Sequence, residues 1–210
     1  MPFESISAAS RAFVRVATLV FSLAPATALA ADPANGIFLV AKHEMKDPRF
    51  AQTVVLVTQP PQGGPFGVVI NRPLPALLSE VLPQQPALKG KKDVVFRGGP
   101  VQLDVLLFLV RTAKPPARAV HVLKDVYFVG DPEFIDALLK RPDPTRGLRV
   151  FAGYSGWGVG QLQNEMQRGD WYVLPADAET IFEKDVSRIW PDLVQRASAR
   201  PTRYWVTDQP

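Results

Sequence analysis

The chain has 210 residues, with 24 Lys and Arg against 20 Asp and Glu, a formal net charge of +4, and no cysteine. The missing thiols exclude disulfides, thiol catalysis and thiolate metal sites. A small cationic excess without a run of about five like charges excludes a nucleic-acid-binding stripe and an acidic tail.

The first thirty residues read as an export signal. Arg11 and Arg15 flank an uncharged stretch from Val16 to Leu23, and Ala28-Leu29-Ala30 is a small-residue cleavage signature. A bilayer span takes about 20 predominantly apolar residues, and Pro25 and Thr27 end this run too early for that. No cysteine follows it as a lipid acceptor and no twin arginine precedes it, so the expectation is the general secretory route with cleavage after Ala30. Cleavage removes Arg11, Arg15 and Glu4, leaving 22 basic against 19 acidic residues, a net of +3. The mature protein is then expected in the periplasm or secreted, with no transmembrane anchor. It consists of a short tail over residues 31–36 and one domain over 37–206. A mature chain of about 180 residues can bury a core without covalent staples.

Runs rich in Val, Ile and Phe, bounded by Gly, Pro, Asp or Asn, predict strands over 37–41, 53–58, 66–70, 94–96, 105–111, 120–123, 126–129 and 148–152, with a last one over 171–174. The connection from Gln59 to Pro65 and the pair Lys124-Asp125 are too short for a crossover helix, so each predicts an antiparallel hairpin. Lys89-Gly90-Lys91-Lys92 reads as solvated loop. Helices are predicted over 76–82, from an Asp131-Pro132-Glu133 start, and over 160–168, 176–184 and 186–197. Pro191 predicts a kink or break near Trp190 in the last of these. Strands crowd the first half and helices the second, which predicts a single α+β domain with a mixed, mostly antiparallel sheet and flanking helices.

The densest motif is Gly153-Tyr154-Ser155-Gly156-Trp157-Gly158. Ser155 lies between glycines as in a nucleophile elbow, but the G-x-S-x-G pattern fails because Trp157 takes its last position. A triad also needs a base, and the chain holds only His43 and His121. Ser155 is therefore the one catalytic candidate and has no evident base. Two distant histidines and scattered carboxylates offer no metal set, and no cofactor is predicted.

Arg97-Gly98-Gly99-Pro100 sets a guanidinium and two flexible amides at a strand end, which suits an anion or a strand-breaking turn. Asn71-Arg72-Pro73 poses the same choice between a turn cap and a free arginine. Trp157, Gln161, Glu165 and Arg168 recur at helical spacing. They are expected to share a face that serves a ligand or partner, or else an internal polar network.

Four segments then fall into one pattern. Asp47-Pro48-x-Phe50 with Thr53-Val54-Val55 comes first, and Phe66-Gly67-Val68-Val69-Ile70-Asn71-Arg72-Pro73-Leu74 second. Arg97-Gly98-Gly99-Pro100-Val101 is the third. Gly153-Tyr154-x-Gly156-Trp157-x-x-Gly160-Gln161-Leu162-x-x-Glu165, with Asp170-Trp171 and Pro175-Ala176-Asp177, is the fourth. In order and spacing across residues 35–197 they resemble the YqgE/AlgH family. The resemblance implies a single α+β domain with a mixed sheet and flanking helices. It implies little about activity, because that family is largely uncharacterised; one member has been proposed to regulate alginate synthesis genes.

Two departures stand out. The family is usually cytoplasmic, whereas this chain carries an export signal. After its Gly-Gly-Pro segment the family shows an Asp and an Arg-Gly-Phe-like stretch ending in His, of which only Asp104 and Phe108 remain here.

The expectation that follows is a non-enzymatic periplasmic binding or scaffold protein. Its ligand or partner face comprises Asn71, Arg72, Arg97, Gly98, Gly99, Tyr154, Trp157, Gln161 and Glu165. The partner is a protein or a small anionic ligand, and nucleic acid is not expected. The alternatives are a hydrolase using Ser155 or an Arg-lined anion pocket, and a transcriptional regulator if the signal is retained.

Overall fold

Side-chain alternation along the strands builds the core. In β1 (Ile37–Ala41), Phe38 and Val40 enter one buried cluster, while Ile37, Leu39 and Ala41 enter another on the opposite face. β2 (Val54–Thr58) and β3 (Phe66–Val69) divide in the same way. Every residue of these three strands is buried, so both faces of the sheet are covered here and the strands read as unbroken apolar runs. The computed structural model describes residues 36–199. The predicted signal segment, residues 31–35 of the tail and residues 200–206 of the predicted domain lie outside the described residues.

The remaining elements follow in chain order. They are β4 (Pro73–Leu77), α1 (Leu78–Val81), β5 (Val94–Arg97), β6 (Val101–Arg111), β7 (Ala119–Leu123), β8 (Val126–Val129) and α2 (Pro132–Leu139). Then come β9 (Leu148–Gly156), α3 (Gln161–Arg168), β10 (Trp171–Pro175), α4 (Ala178–Phe182) and α5 (Val186–Ser198). The strand order is β10-β1-β2-β3-β9-β6-β8-β7, antiparallel throughout. β4 pairs antiparallel with β5, and β5 joins β9 in parallel, which makes the sheet mixed.

The sheet curls until the Thr58 hydroxyl donates to His121 O at 3.3 Å, tying β2 to β7. α4 and α5 fill the concave face. α1 and α2 cover the convex side of β6, β8 and β9, and α3 covers that of β1 to β3. Aspartates start three of the helices, as the sequence chemistry dictates. Asp131 accepts from Glu133 N at 3.0 Å, Asp177 from Thr180 N at 2.7 Å and Asp185 from Ser187 N at 2.9 Å.

The α+β class, the two hairpins and the nine predicted strands are all present. Four expectations need correction. The helix over 76–82 shortens to α1, because β4 pairs with β5 as far as Leu77 and takes the first two of those residues. The helix over 176–184 shortens to α4, because β10 extends to Pro175 and the cap falls on Asp177. α5 runs through Pro191 without a break, which leaves only the kink of the two outcomes expected there. The acceptor that Pro191 leaves unbonded is the carbonyl of exposed Ser187, which water can serve. Finally, β9 continues to Gly156, so the Gly-Tyr-Ser-Gly motif is strand, not a turn ahead of a helix.

Candidate binding cleft

A cleft of about 810 Å³ opens on the convex face between the loop after β1 and helix α3. Lys42, Lys46, Arg49 and Phe50 line it from the loop, and Pro100 and Val101 from the start of β6. Ser155, Trp157, Gln161, Glu165, Arg168 and Trp171 line it from the opposite side. Residues of three of the four sequence motifs therefore line one place, and the second motif, Phe66 to Leu74, lies outside it.

Glu165 is the hub of that wall. Its Oε2 accepts from Trp157 Nε1 at 3.1 Å and from Trp171 Nε1 at 3.2 Å. Its Oε1 accepts from Gln161 Nε2 at 2.9 Å, and Gln161 Oε1 in turn accepts from Gly158 N at 3.1 Å. Three N–H donors thus share one carboxylate, and two nearly buried indoles are fixed in orientation. Trp157 was expected on the helical face but stands in the loop before α3, and its indole reaches back to Glu165. Arg168 turns to Asp170 at 2.8 Å instead of joining the network.

The opposite wall is held from behind. Asn71 Oδ1 accepts from Val54 N and its Nδ2 donates to Gln52 O, both at 2.9 Å. Arg72 donates to Arg49 O at 2.6 Å and to Ala51 O at 3.0 Å. Burial, and then the charge of Arg97, hold the Arg72 guanidinium below its ordinary value. Asn71 and Arg72 therefore position the loop and do not line the cleft. Within the loop, the Asp47–Arg49 pair at 2.7 Å keeps the Asp47 carboxyl below the usual carboxylate range.

The glycines assigned to the face are also structural. Gly98 N donates to Ala152 O at 2.9 Å, and Gly98 O accepts from Val69 N at 2.8 Å. A Cβ at Gly98 would stand 2.1 Å from Gly153 O, and one at Gly99 2.2 Å from the Tyr154 carbonyl carbon. The Gly-Gly pair is where β5 leaves across the backbone of β9, and only hydrogen fits between the chains. Arg97 is exposed and outside the cleft, and it makes no salt bridge among the described residues. Tyr154 faces the concave cluster and lines a separate apolar slot of about 240 Å³ with Phe66 and Leu107.

Ser155 is 1% exposed, and its hydroxyl donates to Gly98 O at 3.4 Å. His43 packs edge-on against Trp190, and His121 packs at a tilt against Tyr127, both away from Ser155. No base stands at Ser155 among the described residues, so the geometry of nucleophilic attack is not assembled there. Sequence reasoning missed the cations of the cleft. Lys42 lies 5.0 Å over the Tyr172 ring and Lys46 is exposed, and neither makes a salt bridge among the described residues. Their place directly after β1 and ahead of Asp47-Pro48-x-Phe50 was the available signal.

A family model described as AlgH-like, DUF179, matches residues 38–202, which span this whole arrangement. The chain belongs to the AlgH-like family. Its AlgH-like relatives include the UPF0301 protein of Mycobacterium avium (strain 104), 36% identical over 169 residues that cover 77% of this chain and 81% of the relative. A UPF0301 protein of Rhodococcus opacus (strain B4) is 35% identical over 170 residues, with the same coverage. The crystal structure of a Corynebacterium diphtheriae protein is similar at a TM-score of 0.65 and 26% identity, over 83% of this chain and 91% of that one. The solution structure of AlgH from Pseudomonas aeruginosa gives 0.63 and 27%, over 87% and 98%. The AlgH-like match begins one residue into β1, so the predicted signal segment precedes it.

Proposed function

We propose that this chain is a non-enzymatic binding or scaffold protein of the periplasm, and that its partner occupies the cleft between the 42–50 loop and α3. One observation carries the reading: the polar side chains of the motifs are spent on holding the cleft in shape. Glu165 holds three donors, and Asn71 and Arg72 anchor the loop. A preformed concave site with aromatic and charged lining is what recognition requires. Nucleophilic catalysis through Ser155 would require a base beside it, and Ser155 hydrogen-bonds a backbone carbonyl instead.

Export fits the same account. Cleavage after Ala30 leaves residues 31–36 ahead of β1 and removes no part of the sheet. The test joins both claims. Native protein released by osmotic shock should begin at Ala31. Wild-type protein should capture a partner that a cleft-filling Pro100→Trp, Lys46→Glu variant does not. Hydrolysis of acyl or phosphoryl esters that disappears in Ser155→Ala would instead establish an enzyme, and a cytosolic protein beginning at Met1 would end the periplasmic account.

A further inference from the structure

We propose that β10 is a dimerisation edge, on which a second copy of this chain adds its own β10 in antiparallel register. Among the described residues β10 has a neighbour, β1, on one side only. Lys42 N donates to Asp170 O at 3.2 Å and Ala176 N to Gly36 O at 2.9 Å, so residues 170, 172, 174 and 176 turn their backbone groups toward β1. By strand alternation, Trp171 and Val173 turn their N–H and C=O groups away from the sheet. Among the described residues these four groups have no backbone partner.

The other open edges are protected and this one is not. β4 carries Pro73 and Pro75, both exposed, and a proline cannot donate to an added strand. β7 is irregular between His121 and Leu123 and is tied to β2 through Thr58. β10 has no lysine and no proline before Pro175 at its end, while Tyr172 and Val173 are half-buried and Pro175 exposed.

A second copy suits this edge better than an arbitrary strand. A two-fold axis through Tyr172 sets Trp171 opposite Val173 of the partner subunit, and Val173 opposite the partner's Trp171. The outward N–H and C=O groups of Trp171 and Val173 in both copies are then used. The same register puts the two Tyr172 side chains across from one another on one face and tryptophan against valine on the other, both favourable cross-strand pairs.

The charges at the two ends of the strand complement each other. Lys42, Arg168 and Asp170 at the start carry a net +1, and Asp177, Glu179 and Arg196 at the end a net −1. Antiparallel pairing brings these unlike ends together twice, as an isologous interface requires.

Lys42, Arg168 and Trp171 also line the cleft, and the test therefore reads self-association alone, whatever the cleft binds. Sedimentation equilibrium of the native protein should show a monomer–dimer equilibrium between micromolar and millimolar concentration. Val173→Pro removes the outward N–H and leaves the β1 pairing through residues 172 and 174 intact. It should weaken the dimer at least tenfold without changing the far-ultraviolet circular dichroism. Val173→Lys, which keeps the N–H but sets a charge on the interface, serves if the proline variant does not fold. A wild-type protein that stays monomeric at millimolar concentration would overturn the proposal, as would folded variants that dimerise as well as wild type.

Discussion

At the scale of single residues, Glu165 and the Gly98-Gly99 pair decide whether the cleft exists. Glu165→Ala leaves two indole N–H groups and one amide without an acceptor, and a buried donor without a partner costs about 1–3 kcal/mol. A loss of roughly 2–4 kcal/mol in urea unfolding is expected, with both indole proton signals displaced in the NMR spectrum. Gly99→Ala places a methyl group inside the β9 backbone and should destabilise by more than about 4 kcal/mol. Gly158→Ala, whose nearest neighbour would lie at 3.8 Å, is expected to fold normally.

Arg149 is the opposite case, a mostly buried cation with no carboxylate beside it among the described residues. Burial pushes its guanidinium down to about 10. One bond to Ile70 O at 3.3 Å and the face of the Phe96 ring at 4.5 Å only partly offset that burial. Because the folded value lies below the unfolded one for a base, the penalty is fully present below pH 10. It fades as pH rises through the folded value, where the unfolded chain still holds the proton. At neutral pH, Arg149→Met should therefore raise stability by about 1–2 kcal/mol. An unchanged or lowered denaturation midpoint would show that the ring and carbonyl contacts outweigh the desolvation.

At the scale of elements, the strands were legible in the sequence and several boundaries were not. Apolar runs between Gly and Pro located nine strands because burial on both faces leaves no polar interruption in β1 to β3. β4 was missed because Pro73 and Pro75 occupy an edge strand, where a missing N–H costs little. The end of β9 was missed because its glycines read as a turn, while their use is to let β5 pass close to its backbone.

Contacts between elements far apart in sequence leave no local signature. Arg111 of β6 bonds both Asp125, in the β7–β8 turn, and Glu183, just past α4. The hydrogen bond from Arg111 holds the Asp125 carboxyl below its ordinary value. The stability from that pair is present above the unfolded carboxylate pKa and is lost as pH falls through the lowered folded one. The difference in melting temperature between wild type and Arg111→Met, small because the pair is exposed, should therefore be visible at pH 7 and vanish near pH 2.

At the scale of the molecule, the sequence motifs named the right neighbourhood but gave several members the wrong task. Trp157, Gln161 and Glu165 line the cleft, as does Ser155, whereas Asn71, Arg72, Gly98 and Gly99 hold its walls. Residue type alone could not separate the two groups, because an amide or a guanidinium suits a ligand and a backbone carbonyl equally well. The side of the sheet on which each side chain emerges made the division. It sent Tyr154 to the concave cluster, while the loop after β1 brought Lys42 and Lys46 to the cleft.

The central claim, that the cleft is a recognition site used in the periplasm, is tested most directly by photocrosslinking in living cells. A photoreactive residue at position 46, inside the cleft, should yield a discrete adduct in the osmotic-shock fraction. The same residue at position 133, on the exposed start of α2, should yield none. Equal adducts from both positions, or an adduct from position 133 alone, would contradict the account.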